Sequence, residues 1–257
     1  MKRRRTTVIA GPLVKIVEYI PPMPRDKGTT RSARHKATDQ AHKALNRRRA
    51  QGRLEEKLAA NFGSWDYFAT FTYRPGEEPK TRKAAIADKR QYVRRLRESR
   101  KRRGQPLCWI VAIENKHGEG RYHLHAVING TGGEDKEDRE EIESLWTHGS
   151  AHIERLFNAG HDNGEDLNTW LDIARYMTKE RPEDGKDVSP VGAQLYSCSR
   201  NLRRPVVISE WVDSRERVQI PPGAVGIEHT ESETEISTFN YYRYMTEPLK
   251  PAAHSEN

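Results

Sequence analysis

The stretch that most constrains this chain is Arg121-Tyr122-His123-Leu124-His125-Ala126-Val127-Ile128-Asn129. Tyr122, Leu124, Ala126 and Ile128 alternate with the other five residues, the period of two that marks a strand with one buried face. Both histidines then project from one face with Cβ atoms roughly 7 Å apart, a spacing at which two imidazoles can converge on one ion. The preceding run, Leu107 to Glu114, is apolar until its last residue and predicts a second strand. Asn115 to Gly120 between them is a turn-forming run with two glycines. A hairpin centred between Gly118 and Glu119 puts Glu114 opposite His123 and Ala112 opposite His125, with cross-strand Cβ atoms about 5 Å apart. A slip of one residue would send Glu114 to the other face. Two neutral imidazoles and one carboxylate leave positions open for water or a substrate oxygen, as a catalytic cation requires. The alternative on these residues alone is a solvent-exposed His-x-His on a sheet edge.

Charge adds a second constraint. Residues 1–105 hold 29 Lys/Arg against 10 Asp/Glu, while the remainder holds 16 against 27. A half that basic points to a polyanion, most simply nucleic acid. No apolar run reaches the ~18 residues of a membrane span, and Met1-Lys2-Arg3-Arg4-Arg5 does not open a signal peptide. Cys108 and Cys198 are too few for a disulfide framework. A cytoplasmic protein without membrane attachment is expected.

In chain order, residues 1–35 read as a basic arm. Residues 37–62 read as a helix, with Leu54, Leu58 and Phe62 on one side. Asp66 to Tyr73 predicts a strand whose faces are Phe68/Thr70/Thr72 and Tyr67/Ala69/Phe71/Tyr73. Residues 81–103 predict a helix anchored by Ile86, Val93 and Leu96, with nine basic side chains between Lys89 and Arg103. Arg94, Arg95 and Arg97 among them are candidate phosphate contacts. After the hairpin come an acidic helix (Glu134 to Trp146), a strand (Ala151–Leu156) and a helix from Asp166 to Glu180. This order suggests an α+β fold: a mostly antiparallel sheet of four or five strands with helices on its faces. The domain expected is 36–210. Val206–Val212 reads as a strand, and residues 211–257 as a peripheral or mobile tail.

In the helix at 166–180, Leu167, Trp170, Leu171, Ala174 and Met177 form an apolar stripe. At 100° per residue, Tyr176 lies about 180° from Leu167 and Lys179 about 60° from Tyr176. Tyr176 and Lys179 thus share a side away from the stripe. His35, His42, His117, His148, His152 and His161 lack a partner spacing and read as surface histidines. Arg243 to Glu247 echoes Arg175 to Lys179 but ends in glutamate and reads as a decoy.

Taken in order, Phe68-Ala69-Thr70-Phe71-Thr72-Tyr73, His123-Leu124-His125 and Tyr176-x-x-Lys179 resemble the motifs of the HUH (His-hydrophobic-His) endonucleases. The nearest likeness is to rolling-circle replication initiators of small plasmids and phages. There an arginine-rich helix precedes the first motif and a segment like Tyr196 to Leu202 follows the third. The resemblance covers residues 40–205 and implies an RRM- or ferredoxin-like fold. It also implies roles: Glu114, His123 and His125 hold Mg²⁺ or Mn²⁺, Tyr176 attacks phosphorus of single-stranded DNA, and Lys179 orients water or steadies charge. Arg200 and Asn201 are candidate DNA contacts. The expected partners are single-stranded DNA or an origin hairpin, with a host helicase and polymerase, since no phosphate-binding Gly-x-x-x-x-Gly-Lys-Ser/Thr loop is present. With one motif tyrosine, strand closure needs a second protomer or another round of attack, so a homodimer is among the expected forms. Rival readings are a single-tyrosine transposase, a mobilisation relaxase, or a basic nucleic-acid-binding module without catalysis.

Overall fold

The computed structural model describes residues 2–21, 40–116, 121–156, 170–178, 195–233 and 238–246, with backbone alone at 40–44, 116 and 121. In chain order the elements are β1 (Lys2–Ala10), β2 (Leu13–Tyr19), α1 (Gln40–Asn61), β3 (Tyr67–Tyr73) and α2 (Arg82–Arg102). They continue with β4 (Trp109–Lys116), β5 (Arg121–Ile128), α3 (Asp135–Ser144), β6 (Gly149–Arg155) and α4 (Trp170–Met177). The last are β7 (Tyr196–Cys198), β8 (Val206–Asp213), β9 (Val225–Glu233) and β10 (Thr238–Met245). The fold is α+β, with two five-stranded antiparallel sheets. The chain divides into two compact units, Asn61–Leu202 and Met1–Ala60 with Arg203–Pro248.

The Asn61–Leu202 unit holds the sheet β6-β3-β5-β4-β7. Strand alternation gives it one apolar face. Tyr67, Ala69, Phe71 and Tyr73 of β3, Tyr122, Leu124, Ala126 and Ile128 of β5, and Trp109 and Val111 of β4 form one buried cluster. Ala85, Tyr92, Val93 and Leu96 of α2 and Ile142 of α3 close that cluster, so both helices lie across this face. α2 starts where Thr81 accepts a hydrogen bond from the Ala84 N–H, satisfying one of the donors a helix start leaves unpaired. Of the expected anchors, Val93 and Leu96 are buried, whereas Ile86 is half-buried beside buried Ala85. Arg100 is fully buried and ties α2 to α3, with Nε 2.6 Å from Glu141 and a longer pair to Asp138.

The Met1–Ala60 and Arg203–Pro248 unit corrects the expected organisation. Residues 1–35 and 211–257 are not merely arm and tail, because their described parts supply β1, β2, β9, β10 and part of β8, in the order β8-β1-β2-β10-β9. The domain expected at 36–210 likewise gives up residues to Ala60, and from Arg203 on, to this unit. The physical reason is that the charges here are internal partners rather than solvent-facing decoration. Arg3 and Arg5 point to one face, where both engage Glu18, itself 1% exposed. On the other face Glu55 of α1 receives Lys15 at 2.7 Å and Arg243 at 2.7 Å, all three buried. Burial and the Glu55 charge push the neighbouring Tyr241 phenol up to about 12. Gly11, at φ +60°, makes the β1–β2 turn, and a Cβ there would sit 2.3 Å from the Ala59 carbonyl oxygen. Arg243 and Tyr244, read as an echo of the tyrosine motif, are packing residues of this sheet.

Candidate functional site

The second face of the β6-β3-β5-β4-β7 sheet carries the polar cluster. Glu114 pairs with His123 and Ala112 with His125, the register expected of the hairpin. On the other side of β5, Thr70 pairs with His125 and Thr72 with His123. Both histidines are therefore flanked in register by β3 threonines. Thr70 Oγ1 is 3.1 Å from His125 Nδ1, and Thr72 Oγ1 is 3.3 Å from His123 Nδ1. A hydroxyl can donate or accept, so each threonine serves either imidazole tautomer while fixing the ring's orientation. His125 Nε2 lies 2.7 Å from Glu114 Oε2, a diagonal contact between the two strands. His125 is 3% exposed, so this contact is shielded from solvent.

Helix α4 adds the third motif. Trp170, Ile173, Ala174 and Met177 are buried at i, i+3, i+4 and i+7, and the indole N–H of Trp170 donates to the Phe62 carbonyl. Thr178 ends the helix by bonding the Ala174 carbonyl through its hydroxyl, at 2.6 Å. Ile173 replaces the expected Leu171 in the buried stripe, since Leu171 is half-buried. The stripe is thereby rotated toward Tyr176, which stands about 60° from Ile173. Tyr176 is half-buried and sits edge-on to His125, with ring centroids 4.9 Å apart. Phe68 completes the group, stacked on His125 at 6.0 Å and edge-on to Tyr176 at 5.7 Å. Residues from β3, β4, β5 and α4 thus converge, although Phe68 and Tyr176 are more than a hundred positions apart in sequence.

Several expected residues stand elsewhere. Lys179 lies outside the described residues, as do His35, His117 and His161. Arg94, Arg95 and Arg97 belong to α2, which covers the face opposite the histidines. Arg95 donates to Thr147 Oγ1, and Arg94 is 3.9 Å from Glu98. Arg200 is exposed, while Asn201 donates to the Leu107 carbonyl and secures the segment entering β4. Conversely, His152, which has no partner along the sequence, pairs from β6 with Thr70 and so shares a cross-strand row with His125. It is hydrogen-bonded to Glu154 on the same face. The alternation Ser150, His152, Glu154 is the signal that the sequence offers for it. Tyr196 joins this row from β7, opposite Ala112.

Whether these residues suit a divalent cation is a question of donor chemistry. Two imidazoles and a carboxylate are ligands that Mg²⁺ or Mn²⁺ accepts, the harder ion leaning on oxygen. The Thr70 and Thr72 hydroxyls occupy the Nδ1 edges, which leaves the ε edges as the ligating ones. The 2.7 Å between His125 Nε2 and Glu114 Oε2 is close to the about 3 Å separating neighbouring ligands on an octahedral ion. Among the described residues no group of three or more His, Cys, Asp or Glu side chains is drawn together as a metal cluster. The donor set fits by chemistry, with Glu114 and His125 already in contact.

Residues 66–181 match the model of a replication-associated protein family, the one named for the ORF2 protein. That span runs from the start of β3 past α4 and includes Phe68, Glu114, both histidines and Tyr176. The match supports a replication-associated protein with a role in replication initiation. No curated protein and no solved structure matches the chain. No described helix is long and apolar enough to cross a membrane.

Proposed function

We propose that this protein is an HUH-type endonuclease that nicks and rejoins single-stranded DNA through Tyr176 to start rolling-circle replication. The observation that carries the reading is the edge-on contact of the Tyr176 ring with His125, itself bonded to Glu114. A nucleophile must stand beside the groups that stabilise charge at phosphorus, and a phenol serving only the core would lie within the buried stripe. The replication-associated family match over the same residues supports the biological setting.

In this mechanism Glu114, His123 and His125 hold Mg²⁺ or Mn²⁺, which supplies Lewis acidity toward the scissile phosphate's non-bridging oxygens. Thr70 and Thr72 hold the two imidazoles with their ε edges forward. Phe68 keeps the phenol and the His125 ring side by side. Tyr176 Oη loses its proton and bonds phosphorus while the P–O3′ bond breaks, and the departing 3′ oxygen gains a proton. The products are a 5′-phosphotyrosine and a free 3′-hydroxyl that primes synthesis. A later 3′-hydroxyl reverses the step and frees Tyr176, because the phosphodiester's energy is kept in the tyrosyl bond. Lys179 adds positive charge in the same segment. A host helicase and polymerase extend the new end.

The test is incubation with circular single-stranded DNA carrying the replicon's origin, plus Mn²⁺, followed by denaturing electrophoresis. The expected result is a covalent, protease-sensitive DNA adduct that Tyr176→Phe lacks although it still binds DNA. An adduct formed equally well by Tyr176→Phe would remove this residue as the nucleophile.

A further inference from the structure

The other sheet carries a feature that the nicking chemistry does not use. Trp211 of β8 pairs with Arg4 of β1, Arg4 with Tyr19 of β2, and Tyr19 with Phe239 of β10. Paired residues of antiparallel strands project to the same side. The four side chains therefore form one row across four adjacent strands, spanning about 14 Å at the usual strand spacing. Trp211 is 54% exposed, unusual for a tryptophan in a strand. The Arg4 guanidinium lies 5.6 Å from its ring centroid, and Tyr19 stacks on Phe239 at 5.7 Å and 20°.

The arginines of β1 divide by face. Arg3 and Arg5 are directed to the opposite side, where Glu18 and Glu216 neutralise them. Arg4, on the aromatic side, makes no ion pair among the described residues. The same face receives α1, with Ala59 at Gly11 and the Gly52 carbonyl at Lys15, so the helix runs antiparallel to β2. Its earlier turns, including exposed Arg48 and Arg49, are directed toward the Tyr19 end. Residues 1–60 and 203–248 hold 21 Lys/Arg and 13 Asp/Glu, leaving 24 and 24 of the chain's 45 and 37 for the rest. The whole net charge of +8 resides in this unit.

We propose that this face is a second nucleic-acid surface, distinct from the nicking site, which binds single strands by stacking bases on Trp211, Tyr19 and Phe239 while Arg4 contacts phosphate. A row of aromatic rings interrupted by an unpaired cation suits an unpaired strand: bases offer π faces of any sequence, and phosphates need the charge. A duplex hides those base faces, so it cannot use the rings.

The test uses the full chain in EDTA, so that binding is read without cleavage. Among the five tryptophans, Trp109, Trp146 and Trp170 are buried, leaving Trp65 and Trp211 exposed. In a Trp65→Phe background, a thymidine 20-mer should quench the remaining exposed tryptophan. Anisotropy with the labelled 20-mer should show Trp211→Ala about 5- to 150-fold weaker, the range for losing one stacked base, and Trp211→Phe close to wild type. Arg4→Ala should flatten the plot of log affinity against log salt by about 0.7, one phosphate contact's worth. A uridine 20-mer showing the same losses would support the surface equally, since RNA and DNA share this chemistry. Unchanged affinity in Trp211→Ala would overturn the proposal. So would Trp211 quenching that grows with protein concentration in the absence of nucleic acid, which would assign the face to a second copy of the chain. Because Tyr176→Phe leaves these readouts unmoved, a failure to nick and a failure of this surface are separate results.

Discussion

The two sheets have the same strand count and the same antiparallel pairing but are stabilised in opposite ways. The β6-β3-β5-β4-β7 sheet buries aromatic and aliphatic side chains beneath α2 and α3, and the polar groups of its other face bond one another across strands. The β8-β1-β2-β10-β9 sheet buries charge: Lys15, Glu55 and Arg243 on one face and Glu18 with its arginines on the other. Apolar packing holds rings to one position because interiors are dense and rotamers are few. Buried ion pairs add less net stability for the area they take, but they fix which partners meet. The difference matches the tasks inferred for the two sheets. Chemistry at phosphorus needs rings held still, whereas binding a charged strand needs cations arranged on a face.

The sharpest separation of the two comes from Tyr176→Phe. Adduct formation should fall by at least about a thousandfold, as when a nucleophile is removed, with strand binding unchanged, measured by gel and by anisotropy. Next is Glu55→Ala, which strands two buried cations and should cost about 3–5 kcal/mol. Replacing the set together (Lys15→Met, Glu55→Leu, Arg243→Met) should instead be neutral or stabilising by about 1–4 kcal/mol. Urea unfolding reads both, and an equal loss in the two variants would show that charge pairing is not what matters there. In the aromatic core, Leu124→Ala should cost about 2–5 kcal/mol, with no compensating partner substitution to restore it.

A smaller effect is expected from Thr70→Val. It leaves the core intact but frees the His125 ring, and the Mn²⁺ concentration for half-maximal cleavage should rise about 10- to 100-fold. The smallest concerns Asp135. Burial alone would raise its carboxyl, but hydrogen bonds from Arg139 and Tyr67 and the charge of Arg155 hold it below the usual value. A folded-state value below the unfolded one stabilises above about pH 4, and that contribution disappears as pH falls through the lowered value. Asp135→Asn should thus differ from wild type at pH 7 and converge with it near pH 3 in chemical denaturation.

The hairpin register is legible in the sequence because alternation and turn length together leave few choices: Glu114 opposite His123 follows from where the glycines fall. The helices are legible from their apolar spacing. Charged β1 is not, because Arg3 and Arg5 look like solvent-facing residues until Glu18 is seen between them, and that glutamate belongs to another strand. The Ile173-for-Leu171 exchange in α4 is hidden for a related reason: both are apolar, and only the sheet beneath decides which one is buried. His152 escapes because pattern reading looks for partners along the chain, and its neighbours in the row, Thr70 and His125, come from other strands.

One topological fact bears on how the molecule is made. Thr246 bonds the carbonyl of Pro12 across 234 residues, and β1 and β2 each find their second neighbour only in β8 and β10. During synthesis on a ribosome the sheet bearing the histidines can pair as soon as β7 emerges, whereas the early β1–β2 ribbon must wait, half-matched and strongly cationic, for almost the entire polypeptide. A translation pause or premature stop near residue 205 would therefore release a chain with its cutting apparatus assembled and its basic ribbon unmated, open to aggregation at two bare edges.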